Sequence, residues 1–192
     1  MKNVIILGAS GNIAKHVIDI LVKKNDISLT LFLRDKTRLG NKDVSGCKII
    51  EGDVLDVNQL KNAIRGQDIV YANLAGDLET MAKNIVTAMN ETGVKKIIFI
   101  SSIGIYNVPL KSVLKPYRKA ADVIEASDLE YTILRPTWFT NANEVDFETT
   151  RKGQHEKGSV ISQKSLATLI TKIIESPENY IRENLGVNKP NS

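Results

Sequence analysis

Val4-Ile5-Ile6-Leu7 runs directly into Gly8-Ala9-Ser10-Gly11-Asn12-Ile13-Ala14, so an apolar strand, a glycine turn and an amphipathic helix follow without spare residues. This order suits the seating of a pyrophosphate on a helix N-terminus, where unpaired N–H groups and the helix dipole both favour negative charge. Gly8 permits the tight turn, and Gly11 keeps a Cβ away from the phosphate. Ala14 stands where a dinucleotide fingerprint takes Gly or Ala for close helix–strand packing. Ser10, Asn12 and Ile13 complete the candidate cradle.

The remaining candidates share one property: each follows the end of an apolar strand. Arg34 closes Leu29 to Leu33, with Lys36 and Arg38 behind it. An acidic residue there would accept ribose hydroxyls, whereas a planar guanidinium fork suits a 2′-phosphate, so NADP is favoured over NAD. Asp35, one residue on, would reverse that preference if it took the position. Asp53 and Val54 follow Lys48 to Glu51 and suit an adenine, although Asp53 after Gly52 is equally good turn chemistry. Asn73 and Leu74 follow the strand from Asp68 to Tyr71. Ser101 and Ser102 follow Lys96 to Ile100, with hydroxyls for a carboxamide or a substrate carbonyl. Pro136 and Thr137 follow the strand from Tyr131 to Leu134.

Amphipathic helices must separate these strands. Ile13, Val17, Ile20 and Leu21 make the first apolar stripe. Leu60, Ala63 and Ile64 make the second, behind an Asp56/Gln59 capping box. Leu78, Met81, Ala82, Ile85, Ala88 and Met89 make a third, closed by Thr92-Gly93. Tyr117, Ala120, Ala121 and Ile124 mark a fourth. Ser162 caps a fifth, in which Leu166, Leu169, Ile170, Ile173 and Ile174 share a face. Repeated β–α units with continuous apolar strands predict an α/β chain with a single Rossmann-type, doubly wound parallel sheet in the order 3-2-1-4-5-6. Its ligand crevice lies outside the carboxyl ends of the strands. The domain is expected to span residues 1–187. Within it, the polar, aperiodic stretch 137–158 reads as a lid-like segment in which Trp138 and Phe139 form an apolar wall. Residues 188–192 read as a frayed tail.

Several functions are disfavoured. The 192 residues carry a net charge of +4 without a dense basic stripe or nucleic-acid module, so a nucleic-acid partner is not expected. No apolar run approaches membrane-spanning length, and no membrane partner is expected. The single Cys47 precludes an intrachain disulfide and suits a reducing, cytoplasmic setting. There is no Gly-x-Ser-x-Gly elbow and no Gly-Lys-Ser/Thr phosphate loop. His16, His155 and one cysteine make a poor zinc set.

With the glycine turn, Arg34, Gly52-Asp53-Val54 and Leu134-Arg135-Pro136 in view, the chain resembles the atypical short-chain dehydrogenase/reductases. Within them it resembles the NmrA-like NAD(P)-binding proteins often described as NADH-flavin reductases. It is also similar to biliverdin-IXβ (flavin) reductases at Leu33-Arg34-Asp35 and Gly52-Asp53-Val54-Leu55. One departure bears on chemistry. Catalytic members of the wider superfamily carry Tyr-x-x-x-Lys at the start of the helix after strand five. Aligning Ala120-Ala121-Asp122 with such relatives puts Leu114 and Arg118 in those places, so the phenolic acid is missing. Arg118 keeps a positive charge for the ribose or nicotinamide side, and Tyr106 and Tyr117 are the nearby phenols. The resemblance implies an NAD(P)H-dependent oxidoreductase whose small-molecule acceptor, a flavin, quinone or similar planar compound, needs little acid assistance. The same missing acid leaves open a non-catalytic NADP(H)-sensing protein acting through a protein partner.

Overall fold

A computed structural model describes residues 1–192, and its strands and helices alternate from the first residue onward. Strand β1 (Lys2–Leu7) is followed by helix α1 (Asn12–Leu21), β2 (Ile27–Leu33), β3 (Lys48–Glu51) and α2 (Val57–Ile64). Next come β4 (Ile69–Ala72), α3 (Leu78–Thr92), β5 (Lys96–Ile100), α4 (Lys115–Glu125) and β6 (Glu130–Pro136). The chain ends with β7 (Trp138–Thr140), β8 (Glu148–Arg151), β9 (Val160–Ser162), α5 (Gln163–Glu175) and β10 (Glu183–Asn188). The main sheet has the order β3-β2-β1-β4-β5-β6-β10-β8. All its pairings are parallel except that of β8 with β10. The expected 3-2-1-4-5-6 order therefore stands, with two strands added beyond β6.

Burial explains the parallel arrangement. Val4, Ile5, Ile6 and Leu7 are all 0% exposed, as a strand covered on both faces requires. Even residues of β1 pack towards α1 and α5, and odd ones towards α2, α3 and α4. Each such side chain contributes about 1.5–3 kcal/mol through burial. The stripe of α1 is rotated slightly from expectation: Ile18 is fully buried and Ile20 only half-buried. The apolar faces of α3 and α5 are buried as their spacing predicts. Asp56 caps α2 through the amides of Asn58 and Gln59, but the Gln59 side-chain Oε1 accepts from the Asp53 amide (3.1 Å) instead of closing the expected box.

The last strands differ most from expectation. The polar stretch 137–158 contains β7 and β8, and β7 pairs with β9 in a separate two-stranded ribbon. Strand β10 has no counterpart in the sequence reading. It holds the buried polar residues Asn184 and Asn188, and at its centre Gly186 pairs with Arg135 on one side and Thr150 on the other. Beyond it, the Lys189 amide donates to the Val160 carbonyl at 2.8 Å, and the Ser192 hydroxyl donates to the Lys189 carbonyl at 2.8 Å.

Candidate functional site

The glycine turn is fixed by β1 on one side and by Asn73, at the end of β4, on the other. The Gly8 amide donates to the Phe32 carbonyl (3.0 Å), and the Asn73 amide donates to the Leu7 carbonyl (3.0 Å). Gly8 has φ of 78°, and a Cβ there would sit 2.2 Å from the Asn73 carbonyl oxygen, so both conformation and space demand glycine. A Cβ at Gly11 would meet the Asn73 side-chain Nδ2 at 2.4 Å. Asn73 is thus the brace against which the turn is formed.

Helix α1 begins differently from most of its neighbours. Asp56, Asp77 and Ser162 cap α2, α3 and α5 with side-chain hydrogen bonds. Gly11, the N-cap of α1, makes none, and the first turn of α1 has no acidic residue. The opening amides of α1 therefore have no side-chain acceptor, which is the local condition for an external anion.

At the end of β2, Arg34 and Arg38 are exposed. Lys36 instead pairs with Glu51 at 3.4 Å. The Asp35 carboxylate accepts from the Thr37 amide (2.9 Å) and hydroxyl (2.6 Å), which hold its pKa below the usual range. It caps the short 3₁₀ turn that follows, while the Arg34 guanidinium is turned to solvent. Asp53 likewise serves a turn, accepting from the Leu55 amide at 3.0 Å. Val54 is buried, and its carbonyl is held by the Asn84 side chain at 3.0 Å.

Beside the carboxyl ends of β5 and β6 lies a cavity of about 1000 Å³. Ser101, Ser102, Pro136 and Thr137 line it, as do Tyr106, Leu114, Tyr117, Trp138, Phe139 and His155. This cavity takes in four of the expected strand-end residues. Gly8, Ser10, Gly11, Asn12, Ile13, Arg34, Arg38, Asp53, Val54, Asn73 and Leu74 are not among the lining residues. The Ser101 hydroxyl is buried and reaches the Tyr117 carbonyl at 3.5 Å, and the Ser102 hydroxyl donates to the Ile103 carbonyl at 3.2 Å. Trp138, 81% exposed, and Phe139 form an apolar wall at the mouth.

Arg118 is not part of this lining. Its Nε donates to Asp122 one helical turn away (2.8 Å), its Nη1 to the Ile105 carbonyl (3.4 Å), and its guanidinium covers the Tyr106 ring at 4.7 Å. It braces α4 against the loop after β5. Tyr106 is also committed: its hydroxyl donates to Glu125 (3.3 Å) and accepts from Asn184 (2.8 Å). Burial, then the Glu125 charge, pushes the phenol up, so it stays protonated.

The sequence reading missed the charged part of the lining. Arg135, 1% exposed, ends β6 in the cavity wall and pairs with Glu156. Its Nε donates to Asn184 (2.7 Å), and burial lowers its pKa. Glu156 also accepts from the Gly104 amide at 2.9 Å, tying the segment after β8 to the loop after β5. Lys111 lines the same cavity. The available signal was an arginine at the end of an otherwise apolar strand, a position that requires a carboxylate from elsewhere in the chain.

Comparisons with known proteins identify the family and the fold. The profile of a family described as NAD(P)H-binding matches residues 8–177. A Rossmann-fold NAD(P)-binding family protein from Shigella flexneri is 49% identical, with a TM-score of 0.94 over 100% of this chain and 95% of that one. A short-chain dehydrogenase/reductase from Veillonella parvula, solved in complex with NADP, is 27% identical, with a TM-score of 0.90 over 99% and 95%. Among curated sequences, phenylcoumaran benzylic ether reductase PT1 of Pinus taeda is 28% identical over 154 residues, covering 72% of this chain and 49% of the relative. The chain thus spans about half the length of that reductase.

Proposed function

The chain belongs to the NAD(P)H-binding family, and on that premise we propose that it is an NADPH-dependent reductase acting on a flavin, quinone or similar planar acceptor. The observation that carries this reading is the cavity beside Ser101 and Ser102. It has an aromatic wall of Trp138 and Phe139, and Leu114 where relatives place the phenolic acid. An acceptor that delocalises added charge within its own rings suits such a site, whereas a simple ketone does not.

The residues present fit a dinucleotide. The uncapped start of α1 favours its pyrophosphate, and the exposed guanidinium groups of Arg34 and Arg38 favour a 2′-phosphate. The local engagement of Asp35 by Thr37 removes the main argument for NAD. NADPH, when bound, supplies the hydride. Ser101 and Ser102 offer hydroxyls for the carboxamide or the acceptor carbonyl. Trp138, Phe139 and Leu114 hold the acceptor's apolar faces and exclude water, so the protein's contribution is orientation and a dry surface.

Steady-state oxidation of NADPH and NADH with a panel of flavins and quinones tests the proposal. The expected result is turnover above the no-enzyme rate, with NADPH the better donor. No turnover with any acceptor overturns it.

A further inference from the structure

We propose that Arg135 is a receptor for a carboxylate on the acceptor, and that Glu156 is its resting occupant, displaced when the acceptor enters. The inference rests on the reading of the cavity as the acceptor site and names the class that fits it: a planar aromatic carboxylate.

A guanidinium has five N–H donors in a fixed fork. In Arg135 the Nε is used by Asn184 at 2.7 Å and Nη1 by Glu156, while Nη2 is buried without a partner. The Thr150 hydroxyl is also buried and unpartnered. Both flank Gly186: a Cβ there would lie 3.7 Å from Arg135 Nη2 and 3.7 Å from Thr150 Cβ. Arg135 itself lines the cavity, whereas Gly186 and Thr150 are not among the lining residues. Buried polar atoms without partners are costly, and a ligand oxygen would remove that cost.

Glu156 is suited to leave. It lies in the irregular connection between β8 and β9, flanked by the exposed His155 and Lys157. Apart from Arg135, its carboxylate is held by the Gly104 amide. Its side chain is 17% exposed against 1% for Arg135, although the Oε1 that faces the guanidinium is buried and makes no hydrogen bond. Since Arg135 and Glu156 offset one another, Lys111 supplies the remaining charge of the lining and favours an anion. The aromatic wall receives the planar body, and the fork receives its carboxylate.

Calorimetric titration of the nucleotide-free protein with anthraquinone-2-carboxylate and its neutral carboxamide separates this claim from hydride transfer, because neither NADPH nor turnover is involved. The carboxylate is expected to bind about tenfold tighter than the carboxamide, in line with a charge-assisted hydrogen bond. E156Q should widen that ratio roughly a further tenfold by removing the competitor. The double variant R135Q/E156Q removes both charges and should bind the two probes alike. An unchanged ratio in E156Q, a carboxylate preference surviving in the double variant, or no binding of either probe overturns the proposal. Thermal denaturation of E156A in formate and in chloride at equal ionic strength provides a test that tolerates weakened folding. Formate should raise the Tm of the variant but not of the wild type, and equal effects count against the idea.

Discussion

At the residue scale, Gly8 carries the clearest structural demand in the chain. Its positive φ alone would cost another residue about 1–2 kcal/mol. Contact with the Asn73 carbonyl adds to this because backbone cannot swing away. G8A is therefore expected to lower the Tm and to weaken dinucleotide binding, because the start of α1 shifts with the turn. Thermal denaturation and calorimetry of the variant check both, and a wild-type Tm would show that the contact is relieved at no cost. The need for glycine here was legible from the sequence because the turn is local, with strand, turn and helix lying within fourteen residues. The place of Arg34 at the end of β2 was legible for the same reason. Arg135 was not: its partners Asn184 and Glu156 are brought to it by β10 and by the connection between β8 and β9. Nothing in the residues adjoining Arg135 announces them.

At the element scale, apolar spacing identified the five helices because each buries a continuous stripe, and the six leading strands because each is an apolar run. Strands β8 and β10 escaped the same test. Glu-Thr-Thr-Arg has no apolar residue, and Glu-Asn-Leu-Gly-Val-Asn has only Leu185 and Val187, two apart, flanked by the buried Asn184 and Asn188, which serve Arg135 and Glu148. A strand with so few apolar residues among buried polar ones is recognisable only with its partners in place. The packing of α3 on α4 has an electrostatic tie that can be tested. Lys119 of α4, then Lys83 of α3, hold Glu79 down at about 2. A carboxyl whose folded pKa is lowered contributes stability above the ordinary carboxylate range and loses it as the pH falls through that range towards 2. E79Q should therefore melt below wild type at neutral pH, with the difference closing on acidification. Melting curves across that window provide the measurement, and a gap independent of pH would mean that the pair contributes nothing.

Across the whole molecule, the start of α1 and the end of β2 lie on one side of the cavity built by β5, β6 and the segment after β8. The fold and the glycine turn were readable in sequence because β–α units are local and repeat. The cavity was only half readable, because its charged lining comes from segments with no period. The separation has a thermodynamic consequence. A ligand that binds only the folded chain stabilises it by about 2.7 kcal/mol at one hundred times its Kd. For a domain of this size each kcal/mol raises the Tm by about 2–4 °C. NADP⁺ at that excess should therefore raise the Tm by roughly 5–10 °C. NAD⁺ at the same concentration should do less, because the exposed Arg34 and Arg38 guanidiniums meet no 2′-phosphate. R34A should bring the two shifts together by reducing that of NADP⁺ and leaving that of NAD⁺ nearly unchanged. E156Q, altered only in the acceptor half, should retain the wild-type difference between the nucleotides. Equal shifts for both nucleotides in the wild type would remove Arg34 from cofactor selection and return the choice to Asp35.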